Sequence, residues 1–374
     1  MVVDRNPFYF GNEVGGDDFC NRVKELDELK KDSMSGQNVL LYAPRRFGKT
    51  SLLKKLKKEL DINQEYKFIY MDIFSISSVD EFIQKYFSLI AKSFENDSSK
   101  AMELFKNILK IRPNITMTLS PSGDISYGLS FAKKEQMQTL EDVLNLPLVY
   151  SKKFNKKVIV VFDEFQEIEQ LELEKKLRSV IQSHSREVSY IFCGSKKSVL
   201  TQMFSDKSRA FYKGVKHIHI NEIALDDWLV FITEKFKKSG KVIDSRHIEE
   251  AYKITQGFPY YMQQIMAVVW DKTSKEVSDG ILKEALGLIV EREYDLYSTI
   301  WSQLTPNQKS SLKYILQTEG VDMYSNENLS NSPFSASTLK STLEALIKKD
   351  ICDKGSNRYY LVDPFMKYWL ESLK

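Results

Sequence analysis

Three short stretches carry residues suited to handling a triphosphate. The first is Asn38 to Leu60, NVLLYAPRRFGKTSLLKKLKKEL. An apolar run, Val39 to Tyr42, leads into a tight loop of Ala43, Pro44, Arg45, Arg46, Phe47 and Gly48. Lys49, Thr50 and Ser51 then open a helical pattern in which Leu52, Leu53, Leu56 and Leu60 recur with lysines between them. Strand, loop and helix in that order aim successive backbone N–H groups and the positive end of the helix dipole at one point, where an anion binds. Lys49 at this position sits on the β- and γ-phosphates of ATP, and the Thr50 hydroxyl ligates Mg²⁺. The loop departs from the pattern G-x-x-x-x-G-K-[ST] at Ala43, which replaces the first glycine, so the chain must enter in an ordinary backbone conformation. A bare Gly-Lys-Thr is a weak signal; the apolar strand and the amphipathic helix around it carry the weight.

The second stretch is Lys157 to Ile168, KVIVVFDEFQEI. Val158 to Phe162 form a continuous apolar run of the length and β-branched content of a central parallel strand. Asp163 and Glu164 follow at its carboxyl end, where open α/β sheets bind ligands. This fits a Walker B element, with Asp163 holding Mg²⁺ and Glu164 orienting the attacking water. The third stretch, Val188 to Cys193, ends at Gly194 and Ser195, and Ser195 is placed to touch the γ-phosphate or the water. The plain alternative is a Gly-Ser turn. Arg209 and Lys213 flank a later segment and could reach nucleotide on a neighbouring subunit, although most lone basic residues are solvated.

The elements that must position these groups alternate strand and helix. Val23, Leu26 and Leu29 lie at helical spacing after Asn21, a plausible N-cap. A strand is expected over Lys67 to Ile73, and Phe82, Tyr86, Ile90 and Phe94 mark an amphipathic helix. Residues 114–132 break the pattern with two alternating runs about a turn at Pro121 to Asp124. That is a β-hairpin signature, read as a surface insertion. A last strand is expected over Lys216 to Ile220. From Asn221 to Arg292 the pattern is helical, broken at Gly257, Phe258 and Pro259, with Pro259 near the start of a helix. Helices at Thr305 to Leu316 and Ser335 to Lys349, then two short strands within Asp350 to Val362, read as a winged helix-turn-helix. The expected organisation is an N-terminal nucleotide-contacting segment (1–35), a P-loop α/β parallel-sheet core (36–220), a helical lid (221–293) and the winged helix (294–374).

The chain has 374 residues, 42% of them hydrophobic and 28% charged, as in soluble globular proteins. No apolar run approaches a membrane span and no leader is evident, so a cytoplasmic protein without membrane contact is expected. Its three cysteines are far apart and its four histidines lack metal spacing, which argues against a disulfide framework or a zinc site. A net charge of +3 gives no global argument for nucleic acid.

With these residues in view, the chain resembles the AAA+-related STAND NTPases, specifically the prokaryotic archaeal-type ATPases. The resemblance spans nearly the whole chain. It rests on FCNRVKE at Phe19 to Glu25, similar to an hhGRExE motif with Asn21 in place of glycine, on APRRFGKTSLL, VVFDEFQEI and FCGS, and on GFPYY at Gly257 to Tyr261, similar to a G-x-P lid motif. The resemblance implies ATP and Mg²⁺ as ligands, and it implies that Arg22 and Pro259 contact the base and ribose region.

Two functions compete. In one, ATP is bound and slowly hydrolysed, and the nucleotide state controls how lid and winged helix sit, with a protein partner or self-association as output. In the other, a DNA-directed ATPase uses the winged helix as its anchor. From Asp295 to Lys374 there are nine basic and nine acidic residues. A DNA anchor usually presents a basic face, because phosphate contacts supply most non-specific affinity. The balance favours the switch, although Lys340, Lys348 and Arg358 could form a local stripe. A binding protein that never hydrolyses is disfavoured by Glu164.

Overall fold

A computed structural model of the chain describes residues 5–11, 15–62, 65–94, 103, 105, 109, 114–119, 125–195, 197–330, 332–355 and 357–373. They fall into two compact units, one of residues 22–221 and one joining residues 1–21 to 222–374.

In the first unit, α1 (Val23–Met34) precedes β1 (Val39–Tyr42), α2 (Lys49–Asp61), β2 (Tyr66–Asp72) and α3 (Val79–Ser93). The hairpin β3 (Asn114–Leu119) and β4 (Ile125–Ser130) comes next, then α4 (Gln136–Phe154), β5 (Lys157–Asp163), α5 (Glu174–Ser183), β6 (Val188–Gly194), α6 (Lys197–Ser205) and β7 (Lys216–His219). Five strands form one parallel sheet in the order β2-β5-β6-β1-β7. Every residue of β1 and β6, and all of β5 after Lys157, is buried. Strands covered on both faces need uninterrupted apolar runs, which is why these segments do not alternate. Val158, Val160 and Phe162 share a core with Phe82, Tyr86, Leu140 and Leu144 of α3 and α4. Because β6 lies between β1 and β5, the loop after β1 and the carboxylates after β5 face each other across the tip of β6.

Several expectations shift. Strand β2 starts and ends one residue earlier than Lys67 to Ile73, and β7 stops at His219, although Ile220 N still donates to Tyr42 O at 2.9 Å. Asn21 does not cap α1. The N-cap is Arg22, both residues have left-handed backbones (φ 49° and 73°), and no side chain caps the helix. Asparagine tolerates that conformation, so Asn21 turns the chain one residue before the cap instead. The hairpin is not surface decoration: Tyr127 and Leu129 of β4 are buried in the same core as α3, while Met117 of β3 is exposed. Its expected turn at 121–124 lies outside the described residues.

The second unit holds α7 (Leu225–Lys238), α8 (Ser245–Thr255), α9 (Pro259–Lys272), α10 (Asp279–Arg292) and α11 (Tyr294–Ser302). These are followed by α12 (Pro306–Gln317), α13 (Asn326–Ser330), α14 (Ala336–Lys348), the antiparallel pair β8 (Cys352–Lys354) and β9 (Tyr359–Leu361), and α15 (Phe365–Ser372). Thr305 and Gln308 form a capping box that starts α12, and Ser335 caps α14. The N-terminal segment is divided: residues up to 21 pack with this unit. Buried Lys235 donates to Pro7 O at 2.6 Å and to Asp18 Oδ1 at 2.7 Å, and the Phe8 ring lies 5.6 Å from that of Phe236.

The closing aromatic segment is absorbed by the helices before it. Phe365 meets Tyr261 edge-on at 5.4 Å, and Trp369 packs among Tyr294, Tyr297 and Trp301 at about 6 Å. Tyr360 of β9 meets Phe258 at 5.6 Å, and Arg358 Nη2 donates to Gln256 Oε1 at 3.0 Å.

Candidate nucleotide site

The loop from Ala43 to Gly48 is shaped by two left-handed residues, Arg46 (φ 68°) and Gly48 (φ 82°). A side chain on Gly48 would meet nothing within 4 Å, so glycine is favoured there for its backbone angle and not for space. Ala43 is fully buried and has no positive φ, the ordinary entry its identity demands. Pro44 is half-buried, Arg45 and Arg46 are exposed, and Phe47 is buried. Lys49 begins α2 with Thr50 half-exposed beside it and Ser51 buried behind.

Lys49 is 8% exposed, and its Nζ lies 2.6 Å from Asp163 Oδ1 and 3.2 Å from Glu164 Oε1. Burial would lower its pKa, but the charges of Asp163 and Glu164 and a hydrogen bond to Asp163 outweigh that and raise it. Tyr70 of β2 donates from its hydroxyl to Asp163 Oδ2 at 2.6 Å, and burial beside that carboxylate keeps the phenol protonated. Asp163 is thus gripped from two sides.

Glu164 has a left-handed backbone (φ 49°), which turns it out of the strand line, and its amide donates to Asp163 Oδ1 at 2.9 Å. Its Oε2 accepts from Ser195 Oγ at 3.1 Å and from Gln166 Nε2 at 2.5 Å. Burial would raise the Glu164 pKa; the Lys49 ammonium and the hydrogen bonds from Gln166, Lys49 and Ser195 overcome it and hold the carboxyl below its usual range. The close approach of Gln166 depends on Gly194, since a Cβ there would lie 2.1 Å from Gln166 Oε1.

The fold therefore brings together Lys49, Asp163, Glu164 and Ser195. Arg22 joins them at one remove: it is 5% exposed, with Nη1 on Glu25 Oε1 at 2.9 Å and Nη2 donating to the carbonyl of Phe47 in the loop at 3.3 Å. Pro259 occupies the first turn of α9 in the other unit. Arg209 is engaged within its own chain, by Glu169 and Glu174 at 2.8 Å each. Two members were missed in the sequence. Tyr70 looks like any β-strand tyrosine, and only the register of β2 on β5 carries it to Asp163. Gln166 stands among Glu167, Glu169 and Gln170, so nothing in its type set it apart in the sequence.

The donor set fits a magnesium nucleotide: a buried ammonium for phosphate, a left-handed glycine loop at a helix start, and a hydroxyl beside two carboxylates. Among the described residues no cluster of three or more His, Cys, Asp or Glu side chains would hold a metal alone. Thr50 and Asp163 are the residues that would hold an ion arriving with the nucleotide, which would supply charge neutralisation there.

Fold and site together define a P-loop ATPase core followed by helices and a winged helix. The chain belongs to the family described as "ATPase domain predominantly from Archaea", whose model matches residues 19–265, and residues 295–372 match a probable winged helix domain. An uncharacterized ATP-binding protein of Methanocaldococcus jannaschii is 26% identical over 193 residues. That match takes in 50% of this chain and spans about half, 48%, of the relative's length. The Walker-type ATPase of Pyrococcus abyssi has a similar fold, with a TM-score of 0.65 at 17% identity over 96% of this chain and 98% of that one. The ADP form of the Aeropyrum pernix ORC2 protein gives 0.50 at 13% identity over 98% and 94%. Among the described residues no helix is long and apolar enough to cross a membrane.

Proposed function

We propose that this chain binds Mg²⁺–ATP on the loop 43–48, hydrolyses it slowly, and works as a nucleotide-controlled switch of the AAA+-related STAND type. The observation that carries this reading is the closed ion pair of Lys49 with Asp163 and Glu164. Lys49 would exchange carboxylate for phosphate when nucleotide enters, and that exchange frees Asp163 to hold the metal together with Thr50. The ion supplies charge neutralisation at the phosphates. Glu164, held ionised and oriented by Ser195 and Gln166, accepts the proton of the attacking water. Arg22 fixes the loop through the Phe47 carbonyl. The name of the M. jannaschii relative, an ATP-binding protein, supports the ligand.

The switch part rests on the second unit. The Gly257–Tyr261 motif is joined directly to the winged helix, by Phe258 on Tyr360 and by Gln256 on Arg358. A change at this motif is thereby felt by the wing. A DNA-directed ATPase is the competing reading, favoured by the winged helix itself. Against it, Arg358 is engaged with Gln256 and Glu344 is exposed between Lys340 and Lys348 on α14. ATP turnover measured with and without duplex DNA, over a range of protein concentrations, separates the two. The switch reading expects no stimulation by DNA, and a marked stimulation would replace it.

A further inference from the structure

The helix α5 and the segment after α6 enclose a concave groove of about 530 Å³ on the first unit. Its chemistry is one-sided. Lys175, Arg178, Ser179 and Gln182 recur at i, i+3, i+4 and i+7 along α5, so they share one helical face, while Leu177, Val180 and Ile181 point into the core. Lys207 and Ser208 face them from the opposite wall, on a turn that Asp206 ties down by accepting from Ser208 N at 2.8 Å and Ser208 Oγ at 2.7 Å. Arg209 is engaged by Glu169 and Glu174. Asp206 adds a third carboxylate at the rim, and among the described residues Lys175, Arg178 and Lys207 make no ion pair.

Three cations without an ion pair line one concavity, with hydroxyl and amide groups among them, a set suited to several phosphates in a row. Ala210, the ring of half-buried Tyr212 and the aliphatic stems of the long side chains give the lining a substantial apolar share beside its polar groups. Four of its nine lining residues are basic, a density of charge unlike the charge-depleted core of a protein interface. The groove is also walled by α5 rather than entered by it, so no element projects to read a duplex groove. A charged channel with one aromatic ring suits a single strand.

We propose that this groove binds the phosphodiester backbone of single-stranded nucleic acid, without sequence preference and independently of the winged helix. The proposal does not depend on the nucleotide switch, and ATP affinity measured on the same variants keeps the two apart.

The test is fluorescence anisotropy of the full chain with a labelled oligothymidine or oligouridine, titrated over a salt series. The triple variant Lys175→Ser, Arg178→Ser, Lys207→Ser is compared with the pair Lys340→Ser, Lys348→Ser. Each phosphate contact contributes ~0.7 to the slope of log affinity against log salt for single strands. The triple variant is expected to lose affinity at least ~10-fold at low salt and to flatten the slope by about 2. Its thermal midpoint and ATP affinity should match the parent. The ratio of DNA to RNA binding identifies the source of the strand. The proposal is overturned by no binding in the parent, by an unchanged triple variant, by loss in the α14 pair instead, or by duplex binding tighter than single-strand binding. It is equally overturned if polyglutamate binds the parent and this too is lost in the triple variant, which would make the groove an acidic-protein site.

Discussion

Lys49 Nζ sits 2.6 Å from Asp163 Oδ1, with both residues more than nine-tenths buried, so the cation we propose for phosphate and the carboxylate we propose for the metal neutralise each other. This pairing stores the site in a folded, satisfied state. A buried carboxylate left without its partner costs several kcal/mol, and here each of the two charges is the other's main compensation.

Glu164→Gln separates binding from chemistry. The amide keeps the shape and can still meet Ser195, but it no longer accepts a proton. Mg²⁺–ATP affinity is expected to stay within a few-fold while single-turnover hydrolysis slows by at least ~10²-fold. Unchanged turnover would move the base elsewhere. Asp163→Asn should instead weaken binding in a Mg²⁺-dependent way.

Gly194→Ala tests whether Gln166 positions Glu164. The added methyl would fall 2.1 Å from Gln166 Oε1 and 2.9 Å from Leu200 Cδ1, so Gln166 must move. Turnover should fall by about 10-fold or more with ATP affinity nearly unchanged, as expected of a misplaced catalytic group, and Gln166→Ala should give the same pattern. A drop in affinity with normal turnover would point to β6 as a binding element instead.

Much of this site was legible because it lies in short contiguous motifs. Lys49, Thr50, Asp163 and Glu164 announce themselves by type and by the apolar strands before them. Tyr70 did not, since its partner is 93 residues away and the contact exists only through sheet register. The hairpin was located but misjudged: alternation shows that one face of β4 is buried, not against what, and the answer is α3. Asn21 was misassigned because a residue suited to capping is equally suited to a left-handed turn.

The stability of the first unit should depend on His184. It is fully buried, with Nδ1 2.6 Å from Tyr190 Oη and Nε2 3.0 Å from Asn145 Oδ1, and burial, aided by Lys152, lowers its pKa to about 4. Between the ordinary value of 6.5 and about 4 the unfolded chain binds this proton and the folded chain does not. Stability is therefore full above pH 6.5, falls as pH drops, and levels off below about pH 4, a loss of about 3 kcal/mol at 1.36 kcal/mol per unit. Denaturant midpoints from pH 8 to pH 4 should show this slope in the parent and not in His184→Gln. Equal slopes would contradict it.

Tyr360→Ala addresses the switch. It removes the ring on Phe258 without touching the first unit. Basal turnover or nucleotide exchange should rise, read by release of a fluorescent ADP analogue. An unchanged rate in a folded variant would remove the wing from the control of the nucleotide.

The most direct measurement is calorimetric titration of Mg²⁺–ATP into the parent and into Lys49→Ala. Saturable one-to-one binding to the parent is expected, with no detectable binding to the variant. The variant's apo form should be less stable by about 3 kcal/mol, because Asp163 is left buried without its cation. Equal ATP affinity in the two proteins would contradict the assignment of this loop as the nucleotide site.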